Sequence, residues 1–398
     1  MLKRDQRGIA HILGILLIAI LLAIPGYIVY NAIQKRQSTS SYTTVESTHW
    51  QAVFTKAFER VDCPAARDPN DLPDGYYKGP IIDTHVHMQS LPDSQPGTPL
   101  DNKGGQNLGA QLSIDKWVCM LDVEGTAKAF TFFPVWEPII PESIDLVKRA
   151  LAAYPNRFVP FIMPPDNDGS LDGFPTVTAA ALQEMLSIEP GLFNGYGEIG
   201  LYSRDGGAPA LPPDSPRLLE IYPLARERNL LVYMHLGFGH KQAIMKVAAA
   251  NRDINFIFHG GQLYDVPDDQ VGISHDPSIL ANIEEVLDKN PNVYYGVDEL
   301  YGGDWLLEPG RSKAKFLTNF NNYAPLLAID LPMWQGFIER HPDQVIWGTD
   351  RGVAATWDKD PDVALAFNNY TRAFIGKLDR VVQEKFAYKN AEQLVNNR

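Results

Sequence analysis

Between residues 79 and 350 the chain sets eight short apolar runs between longer stretches of helical period. The runs fall at 79–85, 128–135, 157–164, 193–200, 230–235, 254–260, 292–298 and 344–350. Several are apolar without alternation, as parallel strands covered on both faces are. The stretches between them read as amphipathic helices. "SPRLLEIYPLARERN" opens with Ser215 in a cap position and Pro216 behind it, and "DPSILANIEEVLDKNP" does the same with Asp276 and Pro277. Eight strands alternating with helices fit the α/β class, as a (β/α)8 TIM barrel of ordinary length. A doubly wound open sheet is the alternative. No Gly-x-Gly-x-x-Gly follows the first run, so nothing points to a dinucleotide.

A different kind of segment precedes the barrel. "IAHILGILLIAILLAIPGYIVY", residues 9–30, carries no formal charge with His11 neutral. At about 1.5 Å per residue it reaches across a hydrocarbon core of about 30 Å. Lys3, Arg4 and Arg7 precede it and put the N-terminus in the cytoplasm, while Lys35 and Arg36 behind it weaken that orientation. The expectation is a single N-terminal transmembrane helix within an anchor of residues 1–36. A polar linker, 37–50, and a barrel domain, 51–398, follow. A secreted form after signal cleavage is the alternative, although no clear Ala-x-Ala site is present. The anchored form puts the catalytic body outside the cytoplasm.

Composition narrows the partners. The net charge is -13, and the basic N-terminal segment leaves the body more acidic still. Such a body repels phosphate backbones and has no basic stripe, so no nucleic acid is expected. A small-molecule substrate and, through the anchor, a membrane are the expected partners. The sequence leaves the oligomeric state open. Cys63 and Cys119 are the only cysteines, in no metal-type spacing. One disulfide and two unconnected thiols both remain open. Two long connections, 88–112 and 299 to about 328, leave the end of the barrel where such enzymes place their chemistry.

Polar residues gather at the strand ends. His85 and His87 end the first run, His235 the fifth and His259 the sixth. Glu198 lies near the end of the fourth, and Asp350 ends the eighth. His240, His275 and His341 read as solvated surface groups. In a parallel barrel the strand ends meet around one axis. Four imidazoles and two carboxylates would converge there without a lysine, at a cost that a divalent cation removes. Imidazole with carboxylate suits Zn²⁺, with Mn²⁺, Fe²⁺ or Co²⁺ as substitutes. Asp83 alternates in phase with the two histidines and reads as their support. Arg351 and Tyr202 are candidate substrate ligands, together with Arg204 and Trp357. Asp298 and Glu299 are candidates for the pocket wall.

"DTHVH", a Glu on strand four, His235, His259 and "GTD" together resemble the metal-dependent amidohydrolase superfamily. The nearest branch is the amidohydrolase-related one of predicted metal-dependent hydrolases and aromatic-acid decarboxylases. "KFAYKNAEQLV", residues 385–395, resembles that branch's closing segment, so the likeness covers residues 79–395. The resemblance implies His85, His87, His235 and Asp350 as metal ligands, with Asp350 also handling the proton of the attacking water. It implies that His259 binds a second metal or polarises substrate, and it leaves Glu198 where many binuclear members carry a carboxylated lysine. Hydrolysis of an ester, lactone, amide or related C–O or C–N bond is the implied reaction. Non-oxidative decarboxylation of an aromatic or unsaturated acid is the alternative. "YGEIGLYS" also resembles TatD-type nucleases, although Tyr202 stands where they have Asp. A tethered metal-binding domain without turnover is the non-enzyme alternative.

Overall fold

The computed structural model describes residues 50–88, 91, 112–203, 209–266, 276–298, 300, 312–352 and 360–396. The expected anchor, nearly all of the linker, most of the first long connection, His275, Arg204, Glu299 and Trp357 lie outside the described residues. Among the described residues no helix is long and apolar enough to cross a membrane. Chain contacts separate a unit of residues 1–54 with 95–98 from a unit of 55–94 with 99–398. Of the first, residues 50–54 are described, and they are helical. The second holds the barrel.

Eight strands pair in chain order, all parallel. They are β1 (Ile81–His87), β2 (Thr126–Pro134), β3 (Phe158–Met163), β4 (Gly195–Gly200), β5 (Leu231–His235), β6 (Phe256–His259), β7 (Val293–Val297) and β8 (Val345–Trp347). Helices α1 (Ile114–Glu124), α2 (Ile140–Ala153), α3 (Ala179–Ile188), α4 (Tyr222–Glu227), α5 (Lys241–Ala250), α6 (Ala281–Lys289) and α7 (Gly336–Arg340) fill the crossovers in turn. Helices α8 (Pro361–Ile375) and α9 (Asn390–Asn396) follow β8. This is the (β/α)8 barrel the alternation predicts. The "SPRLL" stretch forms a separate short helix, Pro216–Leu219, ahead of α4. The second long connection is partly helical, at Lys313–Asn321 and Ala324–Asp330.

The seam between β8 and β1 closes mainly through side chains. Val86 bridges Arg351, and Thr84 Oγ1 donates to the Trp347 carbonyl at 2.8 Å. Inside, Phe130, Phe132, Val159, Phe161, Tyr233, Ile257 and Ile346 pack together, and Ala391 and Leu394 of α9 join them. Each such side chain contributes about 1.5–3 kcal/mol by leaving water. Asn390 fixes α9 by donating to the Pro342 and Val345 carbonyls. Arg372 of α8 donates to the carbonyls of Tyr77 and Gly79 before β1 and of Gly125 before β2. Cys63 and Cys119 are joined in a disulfide, which ties the approach to β1 to helix α1.

Candidate metal centre

The strand ends converge as overlapping donor groups, and two of them share the Glu198 carboxylate. In the first, His85 Nε2 and His87 Nε2 stand 3.1 Å apart. Asp350 Oδ1 lies 3.2 and 3.1 Å from them, and Glu198 Oε2 lies 3.4 and 3.2 Å from them. In the second, Glu198 Oε1 meets His259 Nε2 at 2.8 Å and His235 Nδ1 at 3.1 Å. The ligand atoms within each set lie within 4.8 Å of one another. The division differs from the expected one: His235 stands with His259 and Glu198, while His85 and His87 stand with Asp350 and Glu198.

Local backbone explains how Glu198 reaches both sets. The β4–β5 register shifts between Tyr196 and Ile199, which breaks the two-residue period. Gly197 inside that shift has φ 135°, and a Cβ there would stand 2.2 Å from the Tyr233 carbonyl oxygen. Only glycine lets β4 lie this close to β5 while the next side chain turns to the barrel axis. A second irregularity, between Asp83 and Val86 of β1, takes Asp83 out of the donor set. Asp83 instead accepts hydrogen bonds from the His85 backbone N–H and the Thr349 hydroxyl.

The imidazoles are oriented from behind. Asp298 Oδ2 accepts the Nδ1–H of His85 at 2.9 Å and that of His259 at 2.8 Å. Both rings therefore turn Nε2 toward the centre, since a carboxylate can only accept. His235 is held the other way round: Gln262 Oε1 accepts its Nε2–H at 2.8 Å, which leaves Nδ1 to face Glu198. His87 Nδ1 is buried without a hydrogen-bond partner among the described residues. Such partners fix tautomer and ring angle at a metal site.

The electrostatics test whether a cation fits. Burial alone pushes the imidazoles down. At His87 the carboxylates of Asp350 and Glu198 outweigh burial and hold the pKa at about 9. At His259 burial is likewise outweighed, by Asp298 and Glu198, which hold it well above the ordinary value. Burial, with His259 beside it, pushes His235 down. Burial would raise Glu198, but the surrounding imidazoles of His259, His235 and His85 hold it well below the usual carboxylate range. The carboxylates thus demand positive charge. Among the described residues neither Glu198 nor Asp350 meets a lysine or arginine. Two imidazoles and two carboxylates form a donor set that fits Zn²⁺ or a neighbouring first-row ion.

Two expectations are corrected. Arg351 is not positioned for substrate: it is 1 % exposed and pairs with Glu124 and Asp83 in the seam. Those two buried acids hold its guanidinium in the seam, apart from the donor sets. His240 and His341 are buried, not solvated. Tyr202 does stand at the site, its ring centroid 4.4 Å from that of His235. Asp298, read as a pocket-wall candidate, proves to orient two histidines. Its place at the end of β7, level with the other strand-end groups, was the available signal. Gln262 had none.

A family model described as Amidohydrolase matches residues 82–396. The chain belongs to the amidohydrolase family. It is an enzyme of the amidohydrolase superfamily, whose members bind divalent metals. No curated protein matches the chain. Among solved structures, this amidohydrolase is similar to a probable 2-pyrone-4,6-dicarboxylic acid hydrolase from Acinetobacter baumannii, at 12% identity over 79% of this chain and 98% of that one, with a TM-score of 0.44. It is similar to a zinc-bound amidohydrolase from Burkholderia multivorans, at 10% identity over 80% and 99%, with a TM-score of 0.48. It is also similar to a manganese-bound dihydroxybenzoic acid decarboxylase from a Polaromonas species, at 15% identity over 80% and 98%, with a TM-score of 0.45.

Proposed function

We propose that this amidohydrolase is a metal-dependent hydrolase that activates water for attack on an ester, lactone, amide or related C–O or C–N bond of a small molecule. The accessibility of Asp350 carries the reading. Its side chain is 19% exposed, against 9% for Glu198 and 2% for Asp298. It is the carboxylate of the centre that water and substrate can reach, as a general base must be. His85, His87, Glu198 and Asp350 would hold one ion, with Zn²⁺ the best match. Glu198, His235 and His259 would hold a second.

Such an ion lowers the pKa of water from about 15.7 toward about 7 and offers positive charge to a developing oxyanion. Asp350 takes the proton of the attacking water and returns it to the leaving group. Asp298 and Gln262 keep the three imidazoles they bind at fixed angles, so that no reorientation is needed during the reaction. Tyr202, against His235, forms part of the substrate wall. The acidic body favours this reading over a nuclease.

Metal analysis of the purified chain, with a panel of ester, lactone and carboxylate substrates, tests the reading. It expects a bound divalent ion, turnover, and a loss of about 10²–10⁴ in kcat on Asp350→Asn. Absence of metal together with full activity in that variant would sink it. A stoichiometry of two supports Glu198 as the shared ligand. Release of CO₂ without a hydrolysis product selects decarboxylation instead. We also propose a membrane-anchored, extracytoplasmic enzyme, supported by the apolar segment 9–30 and by a disulfide of the kind that persists in oxidising compartments. A chain that leaves the membrane fraction on a carbonate wash would contradict the anchor.

A further inference from the structure

Asp350 presents its carboxylate from a backbone conformation that residues with side chains seldom adopt, with φ 50°. Such a conformation persists where its surroundings over-determine it. The surroundings do so on both sides. Before it, Thr349 Oγ1 donates to Asp83 Oδ2 at 2.8 Å. After it, the Arg351 guanidinium grips both carboxylate oxygens of Glu124, the last residue of α1, and reaches the same Asp83 Oδ2 at 3.1 Å. The Arg351 carbonyl accepts the His87 N–H at 2.8 Å. Gly352, at φ 102°, lies so close to β1 that a Cβ would stand 2.1 Å from the His87 carbonyl oxygen. Every one of these ties except Glu124 ends on the stretch of β1 that carries the two imidazoles.

We propose that Asp83, Glu124, Thr349 and Arg351 are positioning residues that set where the Asp350 carboxylate stands relative to His85 and His87. Thr349 and Arg351 are the chain neighbours of Asp350, and both hang on one oxygen of Asp83. Asp83 in turn accepts the His85 N–H through its other oxygen at 3.1 Å. The base and the first imidazole are thus referenced to a single buried carboxylate. Arg351 holds the two acids together, and Glu124 fixes Arg351 from outside the barrel. None of the four belongs to the donor sets described above, so each acts through a donor: Glu124, Thr349 and Arg351 through Asp350, and Asp83 through Asp350 and His85.

The inference rests on the metal-dependent reading, and its test keeps the two separable. The full chain in detergent, stripped of metal, is titrated with Co²⁺ and followed by visible absorption. Wild type, Thr349→Val, Asp350→Asn and the double variant are compared, with thermal melts beside them. Valine keeps the shape of threonine and leaves the Arg351–Asp83 pair in place. Thr349→Val is expected to weaken Co²⁺ binding about tenfold and to alter the absorption bands, as loss of a ligand-orienting partner does. In the Asp350→Asn background the same change is expected to do nothing further. Glu124→Gln is expected to behave in the same way. Unchanged Co²⁺ binding in both Thr349→Val and Glu124→Gln overturns the proposal, and so does an equal weakening with and without Asp350. A wild-type chain that takes up no Co²⁺ overturns the metal reading itself.

Discussion

Two groups of carboxylates stand at the end of this barrel, and the chain supplies a guanidinium to only one of them. In the seam, Asp83 and Glu124 share the Arg351 guanidinium. At the rim, Glu198 and Asp350 face imidazoles, and among the described residues no lysine or arginine meets them. Burying ionised groups unpaired is costly in either place. The seam carries its own cation and is finished on folding. The rim, on the proposed reading, receives one. A fixed guanidinium makes a scaffold, whereas donors without a lysine or arginine make a candidate site.

Removing the scaffold cation should have the largest effect on stability. Arg351→Met leaves Asp83 and Glu124 buried together and should cost about 3–5 kcal/mol in urea denaturation. A smaller loss would mean that the seam, like the rim, tolerates unpaired acids, and the contrast would break. At the opposite end of the barrel, Leu394→Ala should cost about 2–4 kcal/mol as a cavity opens in the interior. Steady-state kinetics should remain at wild-type values, since Leu394 belongs to no donor set and lies on α9, which Asn390 ties to the start of β8. At the rim, Gln262→Leu should lower the affinity of the second set for metal by about 10–100-fold in a competitive chelator titration, with little change in melting temperature.

The smallest expected effect is a pH dependence. Burial pushes the pKa of His240 down, and its Nδ1 accepts the Gly237 N–H at 2.9 Å. Below the unfolded value of about 6.5 the unfolded chain takes up the proton first, so stability should fall as pH drops from there toward the folded value. His240→Gln should flatten the melting temperature between pH 7 and 5. An unaltered slope would assign the dependence to other groups, among them His341, whose pKa burial also pushes down.

The barrel was legible because parallel strands covered on both faces read as unbroken apolar runs, with amphipathic stretches between them. The donors were legible by residue type and by their place at strand ends. Their division into two sets was not, because it depends on the register shift at Gly197 that turns Glu198 across the axis. Arg351 was misread because its place next to Asp350 says nothing of Asp83 and Glu124, the buried acids from distant elements that hold it in the seam. The partnership of Asp298 with His85 and His259 joins three separate strands, and no local pattern records it. The Cys63–Cys119 bond was left open for the same reason, since spacing alone does not bring two cysteines together.

The closed seam also has a consequence for how the enzyme comes into being. Thr349 and Asp83 are 266 residues apart in the chain, and the first donor set takes members from β1, β4 and the turn that follows β8. Contacts of that separation form late in folding, after much of the loop entropy between them has been overcome. A nascent chain that has emerged only as far as β7 has the histidines but neither Asp350 nor the arginine that completes the seam. On the proposed reading the growing polypeptide should be inert until its last strand arrives, so that activity would double as a report that the barrel has closed.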